Sequence, residues 1–279
     1  MRPDGVRVVR TGFALAESPS WHPLLHLLAW IDIPAGVLWM LDGGGGTRSF
    51  TFEQPIGAAV PATDGWLIAA GEHIVHAPVD GRRSIYAVVE HSGRRFNDGG
   101  CDPAGRALFG TMDLGFTAPT GTLTSWSRGT GRVLASGLPI PNGVGWSPDG
   151  TLIYLSDTVG RAIRCAAYDV ETGMAGGWTT WDLSHLPGKP DGLCVDRDGA
   201  LWVALWNGRA VVQLDPEGEV VRLVEVDAGF VSSCCFGGPM LDVLYVTTAE
   251  SKPGRMDGAV LALDVGAQGS DPSVWDPAS

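Results

Sequence analysis

The apolar positions of the chain fall in short runs, each led by a polar turn that closes on glycine. Four such units are TDGWLIAAG (63–71), DPAGRALFGTM (102–112), SPDGTLIYLSDT (147–158) and DRDGALWVALW (196–206). A turn followed by a short run of aliphatic and aromatic residues reads as a hairpin strand, and no stretch sustains helical periodicity. Two looser units, WHPLLHLLAWID (21–32) and FGGPMLDVLYVTT (236–248), bring the set to six. Between them lie outer-strand candidates such as GVLWMLD, SIYAVVE, AIRCAAYDV, AVVQLDP and AVLALDV, whose residue types suit a pleated surface.

The turn glycines Gly65, Gly105, Gly150 and Gly199 are 40, 45 and 49 residues apart, the length a four-stranded propeller blade requires. The expected fold is all-β: a single six-bladed β-propeller domain over residues 1–279, with four antiparallel strands per blade. Closing such a ring calls for the early strand Val6 to Val9 to complete the blade formed by Val260 to Val265.

Counting eight residues back from each turn glycine lands on Gly57, Asn97, Asn142 and Asp191. Glu17 joins them, because it precedes Trp21 by four residues as Asn142 precedes Trp146 and Asp191 precedes Val195. Equivalent positions in radially arranged blades converge on the axis. Two carboxylates and two carboxamides crowded there are costly to desolvate without a cation, and an all-oxygen shell suits a hard divalent metal. A lone Asn-Gly or Asp-Gly is ordinarily just a turn; recurrence at one blade position argues for a site.

Composition narrows the function. A net charge of −12 and a sequence pI near 4.8 repel phosphate backbones, so nucleic acid is excluded as a partner. The longest apolar stretch, Leu24 to Leu41, is broken by His26, Asp32 and Pro34, and MRPDGVRVVR has no signal core, so a cytoplasmic protein without membrane contact is expected. The five cysteines, an odd number with no CxxC pair, read as reduced, packed thiols. None of the six histidines falls at the repeated channel position, and no GxSxG elbow supports a serine nucleophile. Of the eleven tryptophans, Trp30, Trp39, Trp146 and Trp202 fall on strands as fillers between blades, whereas Trp206 is placed in a rim loop, within reach of a substrate.

The segments ESPSW (17–21), RRFNDGGCDPAGRALFGTM (94–112), PNGVGWSPDG (141–150), PDGLCVDRDGALWVALWNG (190–208) and SSCCFGG (232–238) resemble the gluconolactonase, luciferin-regenerating enzyme and senescence-marker (regucalcin-like) family over nearly the whole chain. That resemblance implies a propeller in which Glu17, Asn142 and Asp191 match the metal ligands and Arg95 and Asn97 match residues that hold substrate. It also implies that Asp191 is the general base, taking a proton from a water that attacks a metal-polarised lactone carbonyl. The fork of Arg95 suits two substrate oxygens at any working pH.

The chain departs from the family after Met112, where DLGFTAPTGTLTSW looks like a shortened substrate lid whose nearest carboxylate is Asp113. The expected activity is hydrolysis of small sugar lactones to aldonic acids. One divalent ion (Ca, Zn, Mg, Mn or Fe) assists, no organic cofactor is needed, and the protein is a monomer or weak homo-oligomer. The alternatives are a phosphotriesterase or fluorophosphatase chemistry, and a non-catalytic calcium- or ligand-binding propeller.

Overall fold

In the computed structural model, which describes residues 5–116, 118–250 and 256–276, the expected strands assemble into six four-stranded antiparallel sheets. Among the described residues no helix occurs, and hence none long and apolar enough to cross a membrane. The innermost strands are Ala16–His22 (blade 1), Ile56–Ala62 (blade 2), Arg94–Cys101 (blade 3), Pro141–Trp146 (blade 4), Lys189–Val195 (blade 5) and Phe230–Gly237 (blade 6). Neighbouring inner strands touch in a closed ring, which makes a six-bladed β-propeller whose axial channel they line.

The ring closes as the sequence requires. Arg7–Thr11 is the outermost strand of blade 6, antiparallel to Ala259–Leu263, with Arg7 opposite Ala262 and Thr11 opposite Ala259. Three of the four turn glycines also hold their expected place, with positive φ at Gly105 (83°), Gly150 (72°) and Gly199 (88°). Gly65 does not: the blade 2 turn is shorter, and this glycine opens the strand Gly65–Ala70, where a Cβ would stand 2.4 Å from the Ala77 carbonyl oxygen.

Six apolar clusters fill the six gaps between blades. Fully buried Trp66 packs between blades 1 and 2, Trp202 between blades 5 and 6, and Trp30 between blades 6 and 1. Trp39 and Trp146 are on strands as expected but only half-buried. Burial of large rings in every gap holds the blades at fixed angles, so residues far apart in sequence can meet on the axis.

After blade 6 the chain crosses the face on which the inner strands end. Gly269 bridges Asp196 of blade 5, and Trp275 bridges Ala62 of blade 2. The opposite face, where the inner strands begin, is the mouth of the channel.

Candidate active site

Each inner strand carries an irregularity at the same level, where its pairing with the next strand slips. The slips lie between Glu17 and Ser20, Ile56 and Ala58, Phe96 and Gly99, Pro141 and Val144, Pro190 and Leu193, and Val231 and Ser233. Asn97, Asn142 and Asp191 are therefore bulge residues, and Glu17 is the last paired residue before its bulge. A bulge releases a residue from the ladder and re-aims its side chain, which is how a regular sheet turns polar groups onto the axis. Blades 2 and 6 present Gly57 and Ser232 at this level, so four of six blades supply carboxylates or carboxamides.

Glu17, Asn97, Asn142 and Asp191 are all buried, each 5–7% exposed. Glu17 Oε2 accepts the Ser18 amide at 2.8 Å. Asn97 Nδ2 donates to Asn142 Oδ1 at 2.5 Å and to the Pro141 carbonyl at 3.0 Å. Both N–H bonds of Asn97 are thereby used, and its Oδ1 is left as an acceptor. Arg95 is half-buried beside these groups, with one N–H on its neighbour's carbonyl, Phe96 O, at 2.8 Å.

Sequence reasoning missed one member. Asp98, next to Asn97 in the same bulge, is 6% exposed and accepts the Gly99 amide at 2.7 Å. The available signal was its adjacency to Asn97 in RRFNDGG, but position counting selects a single residue per blade and so passed over it.

Burial raises all three carboxylic acids above their ordinary range. Asp98 is pushed up to about 7, with the Gly99 amide opposing. Glu17 and Asp191 are raised well above theirs, first by burial and then by repulsion: Asp98 acts on Glu17, and Glu17 and Asp98 act on Asp191. Arg95 lowers both, and burial in turn weakens its own hold on its proton. Glu17 and Asp191 thus share one guanidinium and are repelled by Asp98, an arrangement whose ionised form a divalent cation would stabilise.

Among the described residues no three His, Cys, Asp or Glu side chains form a metal-binding group by themselves. The expected set has only two such side chains, Glu17 and Asp191, and its third member, Asn142, is an amide. Two carboxylates and one carboxamide oxygen, all buried and facing an uncompensated charge, nevertheless have the donor chemistry of a hard-cation site.

At the mouth, Trp206 ends the strand Leu201–Trp206, rather than entering a loop, and stacks on Phe230 with centroids 4.5 Å apart. The loop after Met112 is tied back by its own acid: Asp113 Oδ2 accepts the Ala118 amide at 3.1 Å. Leu114 and Phe116 in that loop are exposed. Beyond the site, away from the mouth, a cavity of about 450 Å³ reaches Ser18, Asp98 and Ser233 and is floored by residues 269–273.

A β-propeller with buried acids and amides converging on its axis defines the class of protein. Residues 15–250 match the family model described as the SMP-30/Gluconolactonase/LRE-like region, and the chain belongs to that family. It is 37% identical to Pentonolactonase XacC of Haloferax volcanii over 94% of this chain and 95% of that one. It is 32% identical to regucalcin of Danio rerio over 87% and 85%. Among solved structures, the calcium-binding protein regucalcin of Agrobacterium tumefaciens superposes with a TM-score of 0.93 at 25% identity, covering 98% of both chains.

Proposed function

We propose that this lactone-hydrolysing enzyme, acting as one propeller over residues 1–279, opens small sugar lactones to aldonic acids with the aid of one divalent cation. The observation that carries the reading is the convergence of Glu17, Asn142 and Asp191 on one level of the channel beside Arg95, in a chain 37% identical to a pentonolactonase.

Glu17, Asn142 and Asp191 would hold the cation, which when bound polarises the lactone carbonyl. Asp191 takes a proton from the attacking water as the new C–O bond forms at the carbonyl carbon. The bond from that carbon to the ring oxygen then breaks, and the ring oxygen recovers a proton to become the product hydroxyl. Arg95 binds substrate oxygens, its charge already drawn toward the site by Glu17 and Asp191. Asn97, whose N–H bonds are committed, accepts from a sugar hydroxyl through Oδ1. Glu17, Asn97, Asn142 and Asp191 are 5–7% exposed, so their interactions act in a low dielectric.

Arg95 at the acidic cluster favours a polyhydroxylated substrate over an apolar phosphotriester. The test strips the protein with a chelator, restores Ca²⁺, Mg²⁺, Mn²⁺, Zn²⁺ or Fe²⁺ singly, and follows acid release from γ- and δ-aldonolactones against paraoxon. Metal-dependent opening of an aldonolactone is expected. Turnover of paraoxon alone, or metal binding with no turnover, would overturn the reading.

A further inference from the structure

A carboxamide can face a cation with its oxygen or its nitrogen, and only the oxygen is a ligand. What fixes that choice for Asn142 is a directional chain of hydrogen bonds across three blades. The Thr158 hydroxyl donates to the Pro190 carbonyl at 2.8 Å, which uses its only proton. Its 2.7 Å contact with the Asn142 side chain must then be one of acceptance, so the group facing it is the NH₂. At the other end, Asn97 Nδ2 is held by the Pro141 carbonyl and presents an N–H to Asn142 Oδ1. Two backbone carbonyls, neither able to donate, therefore impose the same orientation from opposite ends.

The anchoring carbonyls follow a rule. Pro141 precedes Asn142 and Pro190 precedes Asp191; the third expected ligand, Glu17, follows Ala16, whose carbonyl accepts the Ser232 hydroxyl at 2.6 Å. In each case the donor side chain comes from the preceding blade: Asn97 from blade 3, Thr158 from blade 4 and Ser232 from blade 6. Of the three donors, Thr158 and Asn97 also touch a ligand side chain. Thr158, 7% exposed, sits just past the strand Leu152–Asp157 and is not among the residues given a role above.

We propose that Thr158 is a positioning residue that aims Asn142 Oδ1 at the axis and couples it to the strand carrying Asp191. The proposal rests on the metal reading of the site. Outer partners of this kind commonly change metal affinity about 10- to 100-fold when removed.

The experiment titrates chelator-stripped wild type, Thr158→Val and Thr158→Ser with Mn²⁺ by calorimetry, with folding checked by circular dichroism. Valine keeps the shape and deletes the hydroxyl, so Kd is expected to rise about 10- to 100-fold; serine keeps the hydroxyl and is expected to restore wild-type binding. A valine variant that binds as wild type does, or a serine variant as weak as valine, would overturn the proposal. Wild type that binds neither Mn²⁺ nor any of Ca²⁺, Mg²⁺, Zn²⁺ and Fe²⁺ would overturn the metal reading and this proposal together, which separates the two failures. Should the valine variant not fold, the side-chain NH₂ of Asn142 in ¹⁵N-labelled wild type decides: slow solvent exchange is expected, and fast exchange would overturn the proposal.

Discussion

Gly192 lies so close to Ser233 of the next blade that a Cβ on it would stand 1.9 Å from the Ser233 hydroxyl oxygen and 2.7 Å from its Cα. The glycine after Asn142 is in the same position, with a Cβ on Gly143 falling 2.3 Å from the Leu193 amide nitrogen. Neither has a positive φ. These glycines are where inner strands of adjacent blades come into backbone contact, and that contact brings the bulges within reach of one another.

Gly192→Ala should therefore loosen the ring at the site. Overpacking of this kind costs about 1–3 kcal/mol, so the thermal midpoint should fall by several degrees and turnover should fall with it. Gly176→Ala, at a position with nothing within 4 Å of a Cβ, is the control and should leave both unchanged. A Gly192→Ala protein as stable as the control would refute the close-packing argument.

Much of this arrangement was legible in the sequence, because blade period and apolar runs are local signals. The spacing of Gly105, Gly150 and Gly199 set the blade length, and counting back from them reached the bulges directly. Pro-Asn-Gly and Pro-Asp-Gly raised the choice between turns and sites, and the structure shows the glycines in extended inner strands. What stayed hidden depends on partners distant in sequence: Asp98, whose importance comes from burial opposite Glu17, and the blade-to-blade bonds of Thr158 and Ser232. Gly65 shows the opposite failure, a local motif whose turn was shorter than its sequence suggested.

Asp191→Ala should abolish turnover, by at least the 10²- to 10⁴-fold that a general base commonly contributes, and should weaken metal binding as well. Arg95→Ala should mainly raise KM, since its proposed contacts are with substrate oxygens. Steady-state kinetics with calorimetric metal titration separate the two roles. An Asp191→Ala enzyme of ordinary activity would defeat the mechanism.

Asp98 makes stability depend on pH in the metal-free protein. Its folded-state pKa, about 7, lies above its ordinary 3.8. The folded form thus holds the proton more tightly, and the stability this confers is present below the ordinary value and is lost as pH rises toward 7. Asp98→Asn, permanently neutral, removes that slope. In chelator, the midpoint of the variant relative to wild type should climb between about pH 4 and pH 7 and level off above. A difference that stays flat across this range would mean that Asp98 ionises freely in the fold.

The stacked pair Trp206 and Phe230 offers a flat apolar face at the mouth. Sugar rings present C–H faces to such surfaces, and aromatic contacts contribute about 0.5–1.5 kcal/mol, equivalent to roughly 2- to 12-fold in affinity. Trp206→Ala should raise KM within that range and leave kcat unchanged. A lowered kcat at constant KM would instead place the ring in support of the reacting groups.

Trp275 tests whether the two faces of the channel are independent. It is 1% exposed, lies edge-on to His76 and Tyr86 at 5.2 and 5.1 Å, and its amide donates to the Pro61 carbonyl at 2.8 Å. Through it the C-terminal segment is pinned to blade 2, after Gly269 has bridged blade 5. Replacement by alanine removes a buried ring and should cost about 3–5 kcal/mol, read as a lower thermal midpoint. Because the proposed ligands Glu17, Asn142 and Asp191 enter from bulges near the mouth, kcat measured well below that midpoint should not change. If kcat falls too, the floor of the cavity helps to hold Asp98 and Ser18 in place, and the far face belongs to the site.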